Sequence, residues 1–522
     1  MDVIQQFTSL VLQWVAVAFA VGLVMLLLAI AWMYWVDTRQ THHSLRRNYP
    51  VIARGRYMLE HLGTFLRQYL FAQDREELPF NRAQRSWVYR AAKNLDSTVA
   101  FGSTLPLNQP GDFVFLNALI PPLDEEVCAR SAICFGEGYA RQPWSTHSFF
   151  NISGMSFGAL SRPAVQALSR GAAKAGVWLN TGEGGLSQYH LEGGCDIVFQ
   201  IGTAKYGVRD DQGCLSDARL RDLAALEQVR MFELKLSQGA KPGKGGILPG
   251  RKVTEVIAST RGIPAGMDSI SPNRHPEINS VDDLLKQLQH IREVTGKPTG
   301  MKLALGDPGW LDEFCERIHA LGLDHAPDFI TLDSADGGTG AAPQSLMDLM
   351  GLPIRRSLPL LVDKLIEHGL RERIRVIASG KMINPGAVAA ALCLGADTVN
   401  SARGFMFSLG CIQALQCNRN TCPTGVTTHN PDLQRGLVPE DKAQRVANYA
   451  TNLMHEVEII AHSCGVREPR LLNRRHAWIV TAGGIPQPLL DLYPEPQPRA
   501  PQGGDTRAAA PIERAVTERA QP

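Results

Sequence analysis

Charge of one sign is what this sequence lacks: 53 Lys and Arg stand against 51 Asp and Glu, a formal net charge of +2. No long basic block is present either, so the electrostatic footprint of a nucleic-acid-binding chain is missing and no such partner is expected. Cysteine is scarce, ten in 522 residues, which excludes a disulfide-stapled scaffold. The thiols therefore matter by spacing rather than by number. No Gly-x-Gly-x-x-Gly follows any predicted strand, so a built-in nicotinamide site is not expected. What is present, 44% hydrophobic and 20% charged residues, gives a buried core and excludes both a wholly disordered chain and a multi-span membrane protein.

One stretch carries no charge at all. Between Val3 and Val36 there is none, and from Leu10 to Val36 the run is apolar apart from Gln13. At about 1.5 Å per residue it outruns a hydrocarbon core of about 30 Å. A secretory signal has a basic start and a shorter apolar run, whereas this chain begins Met1-Asp2 and shows no small-residue cleavage site. A buried core helix would need a polar stripe that is absent here. Residues 10–36 are therefore expected to be an uncleaved transmembrane anchor behind a short segment, 1–9. Trp32, Tyr34 and Trp35 form an interfacial belt, and Arg39, Arg46, Arg47, Arg54 and Arg56 follow it. By the positive-inside rule the catalytic body is expected on the cytoplasmic side of the membrane.

Beyond the anchor, residues 37–147 read as a juxtamembrane cap: an amphipathic helical part over 44–95, then an irregular Pro-rich part over 96–147. From 148 to 430, short apolar runs alternate with helical stretches. The runs are Phe149–Ser153, Val177–Thr181, Ile197–Ile201, Met231–Leu236, Gly300–Leu305, Asp328–Asp333, Arg375–Ser379 and Thr398–Ser401. Several have no polar face, as parallel strands covered by helices require. The fold class expected is α/β, a (β/α)8 TIM barrel, with special loops at one rim marking an active site. Residues 431–493 read as a helical extension, and 494–522, nearly free of large apolar residues, as a disordered tail.

The sharpest chemical signal is Cys411-x5-Cys417-x4-Cys422-Pro423, just after the eighth run. Structural zinc would show closer pairs and four ligands. A compact thiolate run followed by proline fits iron–sulfur ligation, and three cysteines suit a cluster lacking one iron. Cys128, Cys134, Cys195, Cys214, Cys315, Cys393 and Cys464 have no such spacing and are expected to be buried.

Six motifs recur in a fixed order: Gly154-Met155-Ser156-Phe157-Gly158-Ala159-Leu160-Ser161, Asn180-Thr181-Gly182-Glu183-Gly184-Gly185, Gln238-Gly239-Ala240-Lys241-Pro242-Gly243, Leu248-Pro249-Gly250-x-Lys252-Val253, Asp336-Gly337-Gly338-Thr339-Gly340-Ala341, and the cysteine run through Gly425-Val426. In these the chain, from about Asn151 to Thr428, resembles the FMN-binding synthase domain of glutamate synthases. The resemblance implies FMN over the barrel mouth, a 3Fe-4S cluster on Cys411, Cys417 and Cys422, and reductive amination of 2-oxoglutarate with ammonia or another amine donor. It also implies Lys241 and Arg261 as cations for the oxo acid and Glu183 as the carboxylate that handles protons.

The residues agree with that carry-over. Barrels commonly hold a phosphate on the loops after strands seven and eight, here Ser379-Gly380-Lys381 and Ser401-Ala402-Arg403-Gly404. Lys302, inside an apolar strand, is costly unless it faces a charge, and is assigned to the flavin ring. Gly154, Met155, Ser156, Thr181, Gln238, Gly337, Gly338 and Thr339 complete the expected flavin site. Three features depart from the pattern. No amidotransferase half precedes the domain, so any glutamine-splitting partner is expected to be separate. Electrons are expected from a ferredoxin or an NAD(P)H-oxidising subunit. Ile247 stands where the better-known glutamate synthases carry a glutamine, and Ser379-Gly380-Lys381 replaces their Asp-Gly-Gly. A different amine, such as methylamine, or a tethered electron-transfer subunit without amino-acid chemistry are the competing expectations.

Overall fold

All eight apolar runs become strands: β1 (Phe150–Ile152), β2 (Leu179–Asn180), β3 (Ile197–Ile201), β4 (Val229–Lys235), β5 (Thr299–Ala304), β6 (Phe329–Asp333), β7 (Arg375–Ser379) and β8 (Thr398–Ser401). The computed structural model describes residues 2–127 and 130–499. Each strand lies parallel to the next, and β8 returns to β1, closing the barrel. β3 and β6 are buried along their whole length, which is why neither carries an alternating polar face.

The barrel is plugged at its amino-terminal end and polar toward the other. A hairpin, Ile133–Phe135 with Trp144–Thr146, lays Phe135 and Trp144 on Trp178 and Phe329. That aromatic cluster excludes water from the base. Higher up, the carboxylate of Glu233 on β4 accepts from Asn180 Nδ2 (2.9 Å), Gln200 Nε2 (2.6 Å) and Thr331 Oγ1. A buried carboxylate is tolerable only when hydrogen-bonded in this way, and the bonds tie four strands together directly beneath the mouth.

The outer helices follow ordinary stop and start chemistry. Ser161 caps the helix Arg162–Ala175 by accepting from Ala164 N, and Gly176, at φ 65°, ends it in the left-handed conformation that glycine adopts freely. The long helix Pro439–Ser463 packs across it. Its Tyr449 donates to Ile383 O at 3.0 Å and meets the rings of Phe150 and Phe405, holding the β7 and β8 loops from outside.

Several expectations change in detail. The chain divides into two compact units, one ending at Ala83 and one beginning at Gln84, so residues 84–147 belong with the barrel. The helical stretch over 44–95 is interrupted, as Ser44–Asn48, Ile52–Leu66 and Arg82–Ala92, because Pro50 and the Pro79 region break the periodicity. The extension after 431 is not wholly helical: Ala477–Val480 pairs antiparallel with Phe113–Phe115 and with Pro486–Pro488. The expected tail begins ordered, since Arg499 N donates to Glu367 O at 2.8 Å and its guanidinium meets Asp312. Residues 500–522 lie outside the described residues. The helix Asp2–Arg39 is long and apolar enough to cross a membrane by length and composition, and none of its apolar window is buried.

The helix pair on the barrel wall gives a direct test. A Cβ at Gly171 would fall 2.5 Å from Val446 Cβ, so Gly171→Leu should force the helices apart and cost about 1–3 kcal/mol or more. Thermal unfolding that matches the parent protein would contradict this packing.

Candidate functional site

The carboxyl ends of the strands bring together charges that lie far apart in sequence, from Glu183 to Arg261. Glu183, in the turn after β2, faces Lys235 at the end of β4, with Oε2 to Nζ at 3.0 Å. Gly202 and Gly246 flank it so tightly that a Cβ on either would lie 2.6 Å from Glu183 atoms. Loss of water raises the pKa of Glu183, but the charges of Lys235, Lys241 and Arg261 and the Lys235 hydrogen bond outweigh it, so the carboxyl stays below its ordinary value and ionised. Lys241 is buried, and its desolvation lowers its pKa against the pull of Glu183. Arg261 is also buried; it donates to Ser269 Oγ (3.0 Å) and Phe157 O (3.4 Å) and lies over the Tyr206 ring at 5.1 Å. Its Nε has no hydrogen-bond partner among the described residues.

A second group of expected residues gathers on the β5–β8 side. Lys302 Nζ lies 3.8 Å from Asp333 Oδ2, and both are buried. Asp333 in turn accepts from Gly239 N and Ser334 N. Gly337 is pressed against Asp333 and Gly338 against Arg403, where a Cβ would sit 2.6 Å and 2.9 Å from the neighbouring side chain. Arg403 also donates to Asp336 O, and burial lowers its pKa to about 10 against the opposing pull of Asp333 and Asp336. Gly380, at φ 118°, leaves room only for Ser334, and Lys381 follows at φ 53°. Gln238 joins the two groups: its Oε1 accepts from Lys235 and its Nε2 donates to Gly338 O at 3.5 Å.

The remaining expected residues take simpler places. Gly154 is pressed on Asn180 and Gln200, the Met155 and Ser156 backbone abuts Gly182, and Thr181 Oγ1 is fixed between Gln200 N and Gly182 O. Thr339 bonds within its own turn, and Ser379 and Ser401 end β7 and β8, buried. Ala402 precedes the short helix Arg403–Ser408, and Gly404 is pressed against Tyr449 and Ser401. Ile247 pairs directly with Ile270 and is 46% exposed. A cavity of about 20 Å³ lies among Glu183, Thr203, Lys235, Lys244 and Asn273, room for one molecule the size of water or ammonia.

The cysteine run lies beyond β8. Burial pushes the Cys411 thiol up to about 12, and raises Cys417 too. Cys422 is lowered: burial raises it, but hydroxyl and backbone donors from Thr424 and Thr427 prevail. Among the described residues no three His, Cys, Asp or Glu side chains converge as a ligand set, these three included; Cys411 Sγ accepts from Gln413 N and Cys422 Sγ meets Thr424 Oγ1. Along the run Gln413, Leu415 and Asn420 all adopt positive φ, at 59°, 54° and 60°. Such backbone persists only where its surroundings hold it. Of the other cysteines, Cys195, Cys315, Cys393 and Cys464 are buried as expected, Cys134 is half-buried and Cys214 is exposed. Cys128 lies outside the described residues.

Lys235 is the residue that sequence reasoning missed. It ends a strand that is buried over its last five residues, and it is paired in register with Lys302 across β4 and β5. A buried ammonium there, as at Lys302, needs a charged partner, and Glu183 supplies it.

A closed parallel barrel with paired charges and glycine loops at its carboxyl rim defines a (β/α)8-barrel enzyme. The profile of the conserved region in glutamate synthase matches residues 128–467. Glutamate synthase large subunit-like protein YerD of Bacillus subtilis (strain 168) is 38% identical over 88% of this chain and 94% of its own length. A protein named glutamate synthase large subunit-like protein, from Rhizobium meliloti (strain 1021), is 31% identical over 68% of this chain and 80% of its own. The archaeal-type glutamate synthase (NADPH) of Thermotoga sp. (strain RQ2) is 35% identical over 60% of this chain, a match spanning 59% of that relative's length. The chain belongs to the glutamate synthase family, and is an oxidoreductase of that type.

The charge cluster makes a pH prediction. Because the folded pKa of Glu183 is depressed, its contribution to stability is present above the ordinary carboxylate value and is lost as pH falls through the folded value. Lys235→Met removes the nearest cation, so the acid limb of turnover should move to higher pH. An acid limb that stays in place would contradict the pairing.

Proposed function

We propose that the chain forms L-glutamate from 2-oxoglutarate and ammonia, using FMN at the barrel mouth and a 3Fe-4S cluster on Cys411, Cys417 and Cys422. The observation that carries this reading is the convergence of Lys235, Lys241 and Arg261 on one ionised carboxylate. Three buried cations around a single acid leave positive charge for a dianionic oxo acid, and the unpartnered Arg261 Nε is a donor that such an anion would satisfy. Lys241 and Arg261 hold the oxo acid. Glu183, kept ionised, takes the proton released as ammonia adds to the ketone carbon, and the small cavity beside it admits a nucleophile of that size.

The rim donors also support the flavin, and three closely spaced, largely buried thiols support the cluster. Gly154, Gly337, Gly338 and Thr181 let backbone approach a flat ring, Lys302 supplies charge at its edge, and Ser379–Lys381 with Ser401–Gly404 supply phosphate donors. When bound, FMN supplies hydride chemistry and the cluster one-electron transfer. Electrons come from a separate ferredoxin or NAD(P)H-oxidising subunit, a reading supported by the NADPH in the relatives' names. A separate amidotransferase would supply ammonia from glutamine. The apolar amino-terminal helix anchors the chain as a single-pass protein with the barrel on the cytoplasmic side. A second reading, an alkylamine such as methylamine in place of ammonia, is favoured by the exposed Ile247 and Ile270 pair near Gly246.

Three experiments test this. Anaerobically reduced protein given 2-oxoglutarate should return to oxidised flavin with ammonia; return only with methylamine would select the second reading, and no return with any amine would contradict both. Lys241→Ala should keep flavin and lower turnover of 2-oxoglutarate about a hundredfold, the loss of a charge-assisted contact; undiminished turnover would displace the site. Separately, Cys417→Ser should lose iron and leave the barrel folded by circular dichroism, and unchanged iron would remove the cluster.

A further inference from the structure

The long excursion between β4 and β5, residues 236–298, does more than present Lys241 and Arg261. Between them it makes a short turn, Gly250–Lys252, whose two basic residues reach the cysteine run. Arg251 Nη2 donates to Asn418 O at 2.9 Å. Lys252, 2% exposed, donates from Nζ to Cys417 O at 3.3 Å and to Ala159 O, in the loop after β1, at 3.1 Å. A third tie runs alongside, His429 Nε2 to Gly158 O at 2.8 Å. One buried ammonium thus joins the excursion, the β1 loop and the cysteine run.

A buried lysine normally answers to a carboxylate, because an unpaired charge loses its hydration without compensation. Here its acceptors are two backbone carbonyls, those of Cys417 and Ala159. They satisfy two of its three protons but carry no net charge. Its natural counter-charge is an anion held by the thiols of the cysteine run, and three thiolates around an iron–sulfur core provide one. The left-handed residues Gln413, Leu415 and Asn420 show a run of chain that needs outside anchors to keep its shape, and the Cys417 carbonyl lies between them in sequence.

We propose that Lys252 is a positioning residue for the iron–sulfur site, fixing the backbone at Cys417 and supplying the fixed positive charge that stabilises the reduced, more negative form of the cluster. The inference rests on the reading that Cys411, Cys417 and Cys422 hold that cluster. Reduction potentials of such centres depend on net charge and on hydrogen bonding around the sulfurs, so removing the ammonium should make the centre harder to reduce.

The experiment uses full-length protein purified and reconstituted without oxygen, as parent, Lys252→Met, Lys252→Gln and Lys252→Arg. Iron per chain is measured, and the potential is read from the electron-spin signal of the oxidised centre during reductive titration; flavin content and circular dichroism report the fold. The charge-losing variants should show the oxidised-to-reduced ratio shifted at least tenfold, about 59 mV lower for one electron, with Lys252→Arg restoring most of the shift. Should Lys252→Met fail to fold, Lys252→Gln, which keeps a donor for the carbonyls, decides the matter. Iron-loaded variants at the parent's potential would overturn the role of Lys252 alone. Iron-free parent protein would overturn the cluster reading, and this inference with it.

Discussion

The mouth of this barrel is governed by one constraint: Glu183 has given up most of its water and must still carry its charge. Left alone, such a carboxyl would take up a proton. Three cations prevent that, and each comes from a different element, so the fold has to bring the end of β4, the following loop and the helix Glu255–Arg261 to one point. The tightness shows in the glycines: Gly202 and Gly246 are glycine because Glu183 occupies the space of their side chains. The polar layer at Glu233 has the same logic one step down the strand. It fixes Asn180, and Asn180 accepts from Gly182 N, which sets the turn that carries Glu183.

From this constraint a division of labour follows. The β2–β4 side of the rim gathers positive charge around one carboxylate, suited to a small dianion. The β5–β8 side offers glycine-lined backbone, Lys302 and Arg403, suited to a flat, phosphate-bearing ligand. Gln238 touches both, through Lys235 and Gly338. The excursion between β4 and β5 then links Lys241 and Arg261 to the cysteine run, so in the proposed reaction one loop would serve both substrate and electron chemistry.

Much of this was legible in sequence for physical reasons. Parallel strands buried on both faces, such as Phe329–Asp333, leave unbroken apolar runs, and each of the eight runs became a strand. Lys302 was legible because charge inside such a run demands a partner. Lys235 was less legible, because Arg230 and Glu233 in the same strand break the apolar run and a lysine at its end reads as solvated. The hairpin that plugs the barrel base was not legible: Phe135 and Trp144 belong to short, irregular stretches whose meaning appears only when Trp178 and Phe329 stand opposite them. Nor was the sheet of Phe113–Phe115 with Ala477–Val480, since its partners lie more than 350 residues apart. The clamp by Lys252 escaped for a related reason: a basic residue in a glycine turn reads as solvated, and only burial distinguishes it.

The proposed chemistry requires a flavin at the rim and a cluster on the cysteine run. The direct measurement is the flavin and iron content of the full-length protein purified under strict exclusion of oxygen, by extraction and spectroscopy. One FMN with about three irons per chain is the predicted result. Protein that is colourless and iron-free, and stays so after reconstitution, would contradict it.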